Sequence, residues 1–454
     1  MAKYDAIVIG AGIGGLSAAL LMQAEGKQVL LIEKHKGPGG RLSSVEKDGF
    51  KMDLGVHVIS RGAKGPIAQI LDQTGCGMPL DFTTVRPVTS FRGEIFKFPQ
   101  ELYKYVPEED FKAFLEFMAF VRGCSEEDSH KYDAVNLDEF LYNYTDNVIV
   151  HQAVSTIDAV YLGIPAFISS LGEFIRCLDW EAGAHASGYP DGGCIAIAAE
   201  FLKGFKAKGG EAIFDTPVEK IIVEDGKAVG VIAGGEEYRA DMIVSNAGIK
   251  QTVLKFVEDG VFPADYIEYV EGLKPAWSAI IFRIALDQKL TDLKMFSAFG
   301  EEPVQQVAEK LLQGEYNGGM GVFLVIPSNF SDKICAPDKQ LFMLTTAVPT
   351  GCPESMYEPL REHLFKSVDE IIPGFEDHIL WVDVTTPKDL EAQLGESGAT
   401  IGLGQMPGQC GADRPSVKTP LEGLYLVGGE AGGSGVGIEL CASSALEFFN
   451  NYVK

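Results

Sequence analysis

The chain has 454 residues, 46% of them apolar and 22% charged, with a formal net charge of −26. That length supports a large core and two or three domains, and the composition is that of an ordinary globular protein. So strong a negative charge excludes nucleic acid and an anionic membrane as electrostatic partners, leaving open only a shallow, peripheral apolar contact with a bilayer.

The first elements are the most informative. Tyr4 to Arg41 reads YDAIVIGAGIGGLSAALLMQAEGKQVLLIEKHKGPGGR: strand, glycine turn, helix, strand, second glycine turn. Ala6 to Ile9 is a short β-branched run suited to a buried parallel strand. Gly10, Gly12 and Gly15 give the G-x-G-x-x-G spacing. The first makes the tight turn, the second lets backbone approach a pyrophosphate, and the third lets helix and sheet pack closely. Leu16 to Ala24 predicts a helix whose N-terminus offers free N–H groups and a positive dipole end to a diphosphate. Gln28 to Ile32 predicts a second strand, ending at Glu33, where a carboxylate accepts hydrogen bonds from an adenosine ribose. The combination predicts a dinucleotide site. Ala6 to Gln23 carries no charge, yet it is too short for the roughly 20 residues of a membrane span and too rich in glycine. Nor is it expected to be a cleaved signal, since cleavage would discard the nucleotide fingerprint.

After Arg41, SSVEKDGFKMDLGVHVIS alternates around a DG turn and predicts paired strands up to Ser60. Pro66 to Thr74, Glu101 to Arg122 and Leu137 to Cys177 carry helical signals. The aromatic stretch Tyr103 to Phe120, together with Phe342, is a candidate tunnel lining, with plain core as its bland alternative. GYPDGG opens a helix running to about Lys208. A β meander follows, punctuated by Asp225-Gly226 and Gly234-Gly235. Asp241 to Ser245 then reads as a parallel strand leading into Asn246-Ala247-Gly248. From Lys274 to about Gly404 strand and helix signals alternate. The end is again sharp: Leu424 to Val427 a strand, Gly428 to Gly437 a glycine turn, Ile438 to Tyr452 a helix. No strand follows to carry a second ribose-binding acid, so this turn is expected to close the first nucleotide site from the other side. Eight cysteines are scattered without C-x-x-C, and the seven histidines are unclustered. No metal site is expected, and the simplest setting is free thiols in a reducing cytoplasm.

The Rossmann opening, the E-x-x-x-G-x-G-G-R continuation, the central P-x-G-G helix–meander unit and the terminal LVGGEAGGSGVGIE turn together resemble phytoene-desaturase-like FAD oxidoreductases. These belong to the wider flavin amine oxidase superfamily, and the carotenoid desaturase and retinol saturase branch is the nearer one. The resemblance covers both ends and the centre; the intervening segments match in texture only. It implies an α/β chain: an FAD-binding Rossmann-like domain with β meander, in three parts (1–63, 187–255 and 411–454). Inserted between them is an α+β substrate domain (64–186, largely helical, and 256–410, a mixed sheet).

By motif, FAD is expected along Gly10, Gly12, Ile13, Gly14, Gly15, Glu33 and Lys34. The GGR turn, Gly39, Gly40 and Arg41 with Leu42, is expected beside the phosphate–ribityl stretch. Val218 stands where the family's backbone meets adenine, and Asn246 and Ala247 follow the returning strand. Gly429 and Glu430 lie near the pyrophosphate and ribityl chain. Gly437 and Ile438 open the last helix, whose dipole favours charge on reduced flavin. Asp53, Gly55, Val56 and His57 belong to the segment the family runs past the isoalloxazine ring. His57 and Glu439 are the candidate acid–base residues; the alternatives are a structural histidine and an anchor for the last helix. A covalent flavin link at Cys410 is disfavoured. A flavin performs the hydride chemistry itself, so the implied activity is hydride transfer between flavin N5 and a carbon of a lipophilic unsaturated substrate, in desaturation, saturation or isomerisation. Two alternatives are an amine or protoporphyrinogen oxidase, and a non-catalytic prenyl- or lipid-binding carrier. The electron donor or acceptor and the oligomeric state are not legible.

Overall fold

Tyr4–Ile9 is the central strand of the first of two large sheets in the computed structural model, which describes residues 4–55, 58–77, 80–84, 88–184, 186–395, 398–435 and 437–454, without the side chains of 181–184. The sheet has seven strands. Val218–Glu224, Lys227–Ala233, Glu236–Ser245, Tyr4–Ile9, Val29–Ile32 and Glu211–Ile213 lie in that order, and Leu424–Leu426 joins beside Glu236–Ser245. Tyr4–Ile9 is parallel to both neighbours, with Ile7 opposite Ile243 on one side and Leu30 on the other. Four of its six side chains in a row are buried, Ala6 to Ile9. Such a strand needs both faces covered.

Glu236–Ser245 corrects the expected separate strand at 241–245. It is one ten-residue strand, antiparallel to Lys227–Ala233 at its start and parallel to Tyr4–Ile9 at its end. The meander is therefore welded directly onto the nucleotide half of the sheet. Its turns have left-handed backbone at Asp225-Gly226 and Gly234-Gly235, the two-residue geometry that suits the twist of a hairpin.

The helices Ile13–Ala24, Ile195–Ala207 and Gly437–Tyr452 pack together over one face of this sheet. Ile13–Ala24 is buried from Ile13 to Gln23, so it is a core helix without an amphipathic stripe. Gly15 permits its approach, because a Cβ there would run into the carbonyl oxygen of Gly10.

The second sheet also has seven strands, in the order Ile379–Thr385, Ser278–Leu286, Gln340–Val348, Val322–Val325, Met295–Ala298, Val88–Phe91 and Glu94–Phe96. Every residue of Ser278–Leu286 is buried. By the two-residue period of a strand, Ile280, Phe282 and Ile284 enter a core with the helices Val304–Leu312 and Tyr357–Asp369, and Ala279, Ile281 and Arg283 look the other way. The helices Glu108–Gly123, Val148–Leu162 and Leu171–Ala184 share a further hydrophobic core. Here the centre of the aromatic stretch proves to be core, while Tyr103 at its start is exposed. Phe114 and Phe117 are fully buried in that core, and Phe342 lies in the core behind the second sheet. Among the described residues, no helix is long and apolar enough to cross a membrane.

Candidate active site: a cavity in two parts

The carboxyl ends of the parallel strands Tyr4–Ile9, Val29–Ile32 and Glu236–Ser245 open into one continuous cavity of about 1390 Å³. That exceeds the roughly 300–1,000 Å³ of a pocket for a single small ligand. One part is bounded by the first sheet and its glycine turns, the other by the second sheet and the helix Val148–Leu162.

The first part is built largely from backbone. Gly10, Gly12 and Ile13 line it where the first strand enters its helix. The first-turn N–H groups from Ile13 to Gly15 have no intrahelical acceptor, and no side chain caps them. Gly39, Gly40, Arg41 and Leu42 face them, tied by a hydrogen bond from Gly39 N to Ala11 O at 2.8 Å. Glu33, 5% exposed, accepts from Ala11 N at 2.6 Å and His35 N at 2.9 Å. Its carboxylate thus fixes the glycine turn while still edging the cavity. Arg41 donates through Nη2 to Ala399 O at 3.2 Å, and its buried Nε has no hydrogen-bond partner among the described residues. Glu430 accepts from Ile249 N at 2.9 Å. Asn246, whose N–H donates to Ile9 O at 2.8 Å, sits against the turn so closely that a Cβ on Gly12 would lie 2.7 Å from Nδ2. Free N–H groups at a helix start, a cradle that a Cβ would fill and a partnerless arginine N–H form a donor set suited to the diphosphate of a dinucleotide.

The second part is built from side chains. Gln152, Ser155, Thr156, Ala159 and Val160 come from one face of Val148–Leu162, at helical spacing. Ala279 and Ile281, Ser297 to Phe299, Val322 and Phe323, and Thr345 to Ala347 come from the second sheet, with Trp277 at its edge and Leu390 and Leu394 from the helix Pro387–Leu394. Among the described residues, no Asp, Glu, Lys, Arg or His lines this part; every charged lining residue (Glu33, Lys34, His35, Lys36, Arg41, Lys250, Lys255 and Glu430) belongs to the first.

Residues 13–447 match the family model described as flavin containing amine oxidoreductase. The chain belongs to that family. It is a flavin-dependent oxidoreductase, with FAD as its cofactor. Its relatives include a chloroplastic prolycopene isomerase of Daucus carota (28% identity, covering 94% of this chain and 76% of that protein). An all-trans-retinol 13,14-reductase of Danio rerio is 25% identical, over 93% and 82%. A neurosporene-forming phytoene desaturase of Rhodobacter capsulatus is 26% identical, over 95% and 91%. Among solved structures, an oxidoreductase from Methanosarcina mazei superposes with a TM-score of 0.76 at 20% identity, covering 98% of this chain and all of that one. A putrescine oxidase bound to putrescine does so at 0.72 and 16%, covering 99% of each. At these identities the structures speak for the fold alone.

Most of the flavoenzyme's motif residues meet at the cavity: Gly10, Gly12, Ile13, Glu33, Lys34, Gly39, Gly40, Arg41, Leu42, Gly55, Val218, Asn246, Ala247, Gly429, Glu430, Gly437 and Ile438 all line it. Gly14 and Gly15 do not. A Cβ on Gly14 would strike Asn246 and Gly428, and one on Gly15 would strike Gly10, so both serve close packing. Glu439 is a correction to its acid–base reading. It is 3% exposed, lies outside the cavity lining and accepts from Arg61 N at 3.0 Å and Arg61 Nε at 3.2 Å, anchoring the last helix. Asp53 is likewise an anchor, accepting from Tyr189 Oη at 2.5 Å, Ser44 Oγ at 2.6 Å and Cys194 N at 3.1 Å. Burial, reinforced by Asp53, pushes the Tyr189 hydroxyl well above its ordinary pKa. Cys410 is fully buried against Asp133 O, away from the cavity. Val56 and His57 lie outside the described residues.

Sequence reasoning missed Cys441, which lines the cavity one turn into the last helix and whose thiol burial pushes up to about 11. It also missed the whole second part. Its residues are neutral and scattered over six segments, so nothing in their spacing marks them as a set.

Proposed function

We propose that the chain transfers hydride between FAD and a carbon of an uncharged, lipophilic, unsaturated substrate held in the second part of the cavity. The observation that supports this most directly is the lack of any charged side chain among the described residues of that part. An amine with a pKa near that of lysine, about 10.4, would arrive protonated. Burying its charge without a counter-charge costs several kcal/mol. A neutral polyene has no such cost, and its apolar surface gains about 25 cal/mol for each Å² removed from water. The relatives named for carotenoid and retinoid chemistry fit the same reading.

In this reading Gly10, Gly12 and the start of Ile13–Ala24 hold the diphosphate. Glu33 accepts from the adenosine ribose, and Arg41 places positive charge along the phosphate–ribityl stretch. The start of Gly437–Tyr452 presents its positive end to the flavin ring. When bound, the flavin supplies a hydride acceptor or donor at N5. The protein's own contribution is to exclude water, orient an apolar chain against the second sheet and avoid any charge that would trap a cationic ligand. No side chain is required as a nucleophile.

The test is to add a retinoid, a carotenoid and an alkylamine such as putrescine separately to the FAD-loaded, oxidised or reduced protein without oxygen, following flavin absorbance and product mass. Redox exchange or isomerisation with a polyene, and none with the amine, is expected. Flavin reduction by the amine with the polyenes inert would overturn the proposal in favour of an amine oxidase.

A further inference from the structure

Arg414 is a buried cation with no carboxylate partner. It is 9% exposed, and among the described residues it forms no ion pair within 4 Å. Its hydrogen bonds go to backbone carbonyls: Nε donates to Gly432 O at 2.6 Å and Nη2 to Gly429 O at 2.8 Å, while Nη1 has no partner. A guanidinium removed from water, with Glu173 and Glu430 acting on it only from beyond ion-pair distance, is costly, so the fold retains it against stability. The two carbonyls belong to the glycine turn after the strand Leu424–Leu426.

The geometry of that turn suggests the return. The carbonyl of Gly429 and the N–H of Glu430 belong to one planar peptide unit and point in opposite directions. With the carbonyl drawn onto Arg414, the Glu430 N–H is turned outward, and Glu430 lines the cavity. That N–H has no acceptor among the described residues. The other carbonyl obeys the same rule: with Gly432 O on Arg414, Gly433 N is turned to Glu447 Oε2 at 2.6 Å. The turn is thus gripped from both sides, with its unpartnered donor left at the cavity wall and a buried positive charge behind it.

We propose that Arg414 is a positioning residue for the cofactor site. It orients the Gly429–Glu430 peptide so that its N–H donates to an anionic group of FAD, and it supplies positive potential from behind the turn without touching the ligand. The proposal rests on the cofactor assignment above. Arg414 does not line the cavity, and no motif used to read the sequence includes it.

The test uses the full-length apo-protein, with FAD as the titrant. Arg414→Gln is expected to bind FAD about 10-fold or more weakly, the scale of one lost charge-assisted hydrogen bond. Arg414→Lys keeps the charge but not the fork, and falls between Gln and wild type. Both are compared at a temperature where far-ultraviolet circular dichroism shows native structure. A purely structural role predicts a lower Tm with unchanged FAD affinity. A folded Gln variant whose affinity stays within about twofold of wild type overturns the proposal. A second measurement needs no variant: in wild type, FAD is expected to slow hydrogen exchange at the Glu430 amide, and unchanged exchange there also overturns it. Wild type that takes up no FAD defeats the cofactor assignment itself, an outcome separate from these two.

Discussion

The two parts of the cavity solve opposite problems with opposite materials. The first must hold a charged dinucleotide, and uses N–H groups at glycine turns and a helix start, backed by Glu33 and Arg41. The second has only neutral side chains among its described residues, carried by one helix face and one sheet face. A backbone site depends on what cannot be added, since a Cβ at Gly12 or Gly15 intrudes. A side-chain site depends on what fills it, and tolerates change as long as it stays neutral and roomy.

If this contrast is right, substitutions in the first part or in the turn that supports it weaken cofactor binding, and those in the second spare it. The largest effect is expected from Gly15→Val. Its Cβ meets the Gly10 carbonyl, which the strand fixes. Overpacking typically costs 1–3 kcal/mol, and here backbone is what must move; soluble yield and flavin content should both collapse. A stable yellow variant would break the account of the turn. Next is Ala279→Trp, which fills the second part. It should retain FAD at wild-type affinity while weakening polyene binding by about 10-fold or more; loss of flavin instead would show that the two parts are not separable.

Smaller is Glu33→Gln. Replacing a carboxylate that accepts two backbone N–H groups removes charge assistance worth on the order of 1–2 kcal/mol, so FAD affinity should fall about 10-fold in a titration of the apo-protein. Unchanged affinity would free Glu33 of any cofactor role.

The smallest effect tests the mounting of the second part. His151, near the start of Val148–Leu162, is 8% exposed, with Nδ1 2.6 Å from Asp138 Oδ1 and Nε2 2.9 Å from Thr145 O. Both partners are acceptors, so both ring nitrogens donate and the imidazolium is favoured. Burial alone would lower its pKa, but the bonds to Asp138 and Thr145 outweigh it and the pKa is raised. A raised folded pKa gives stability that is fully present below the ordinary value of about 6.5 and is lost as pH rises through the folded value. The Tm gap between wild type and His151→Phe should therefore be widest at mildly acidic pH and shrink on the alkaline side, by on the order of 1 kcal/mol. A gap independent of pH would assign the histidine a packing role only.

The contrast also sets how much was legible in the sequence. Backbone sites need glycine at fixed offsets, so Gly10, Gly12, Gly39, Gly40, Gly429 and Gly437 announced themselves and meet at one cavity. The meander was readable through its hairpin turns. Glu439 kept two readings, acid–base group or anchor, because an acid at a helix start looks the same whether it faces a ligand or Arg61. Ala279, Thr345 and Phe299 were invisible: each is ordinary strand or loop material, and only the pairing of distant strands brings them together. The aromatic run from Tyr103 to Phe120 drew attention by its size, but large rings at helical spacing are what a helical core requires.

The most direct test of a charged cofactor half beside a neutral substrate half is the visible absorption of the purified protein, with the released chromophore weighed. The account predicts oxidised flavin bands and one FAD per chain, perturbed when a neutral polyene is added. A colourless protein that does not take up added FAD would contradict it.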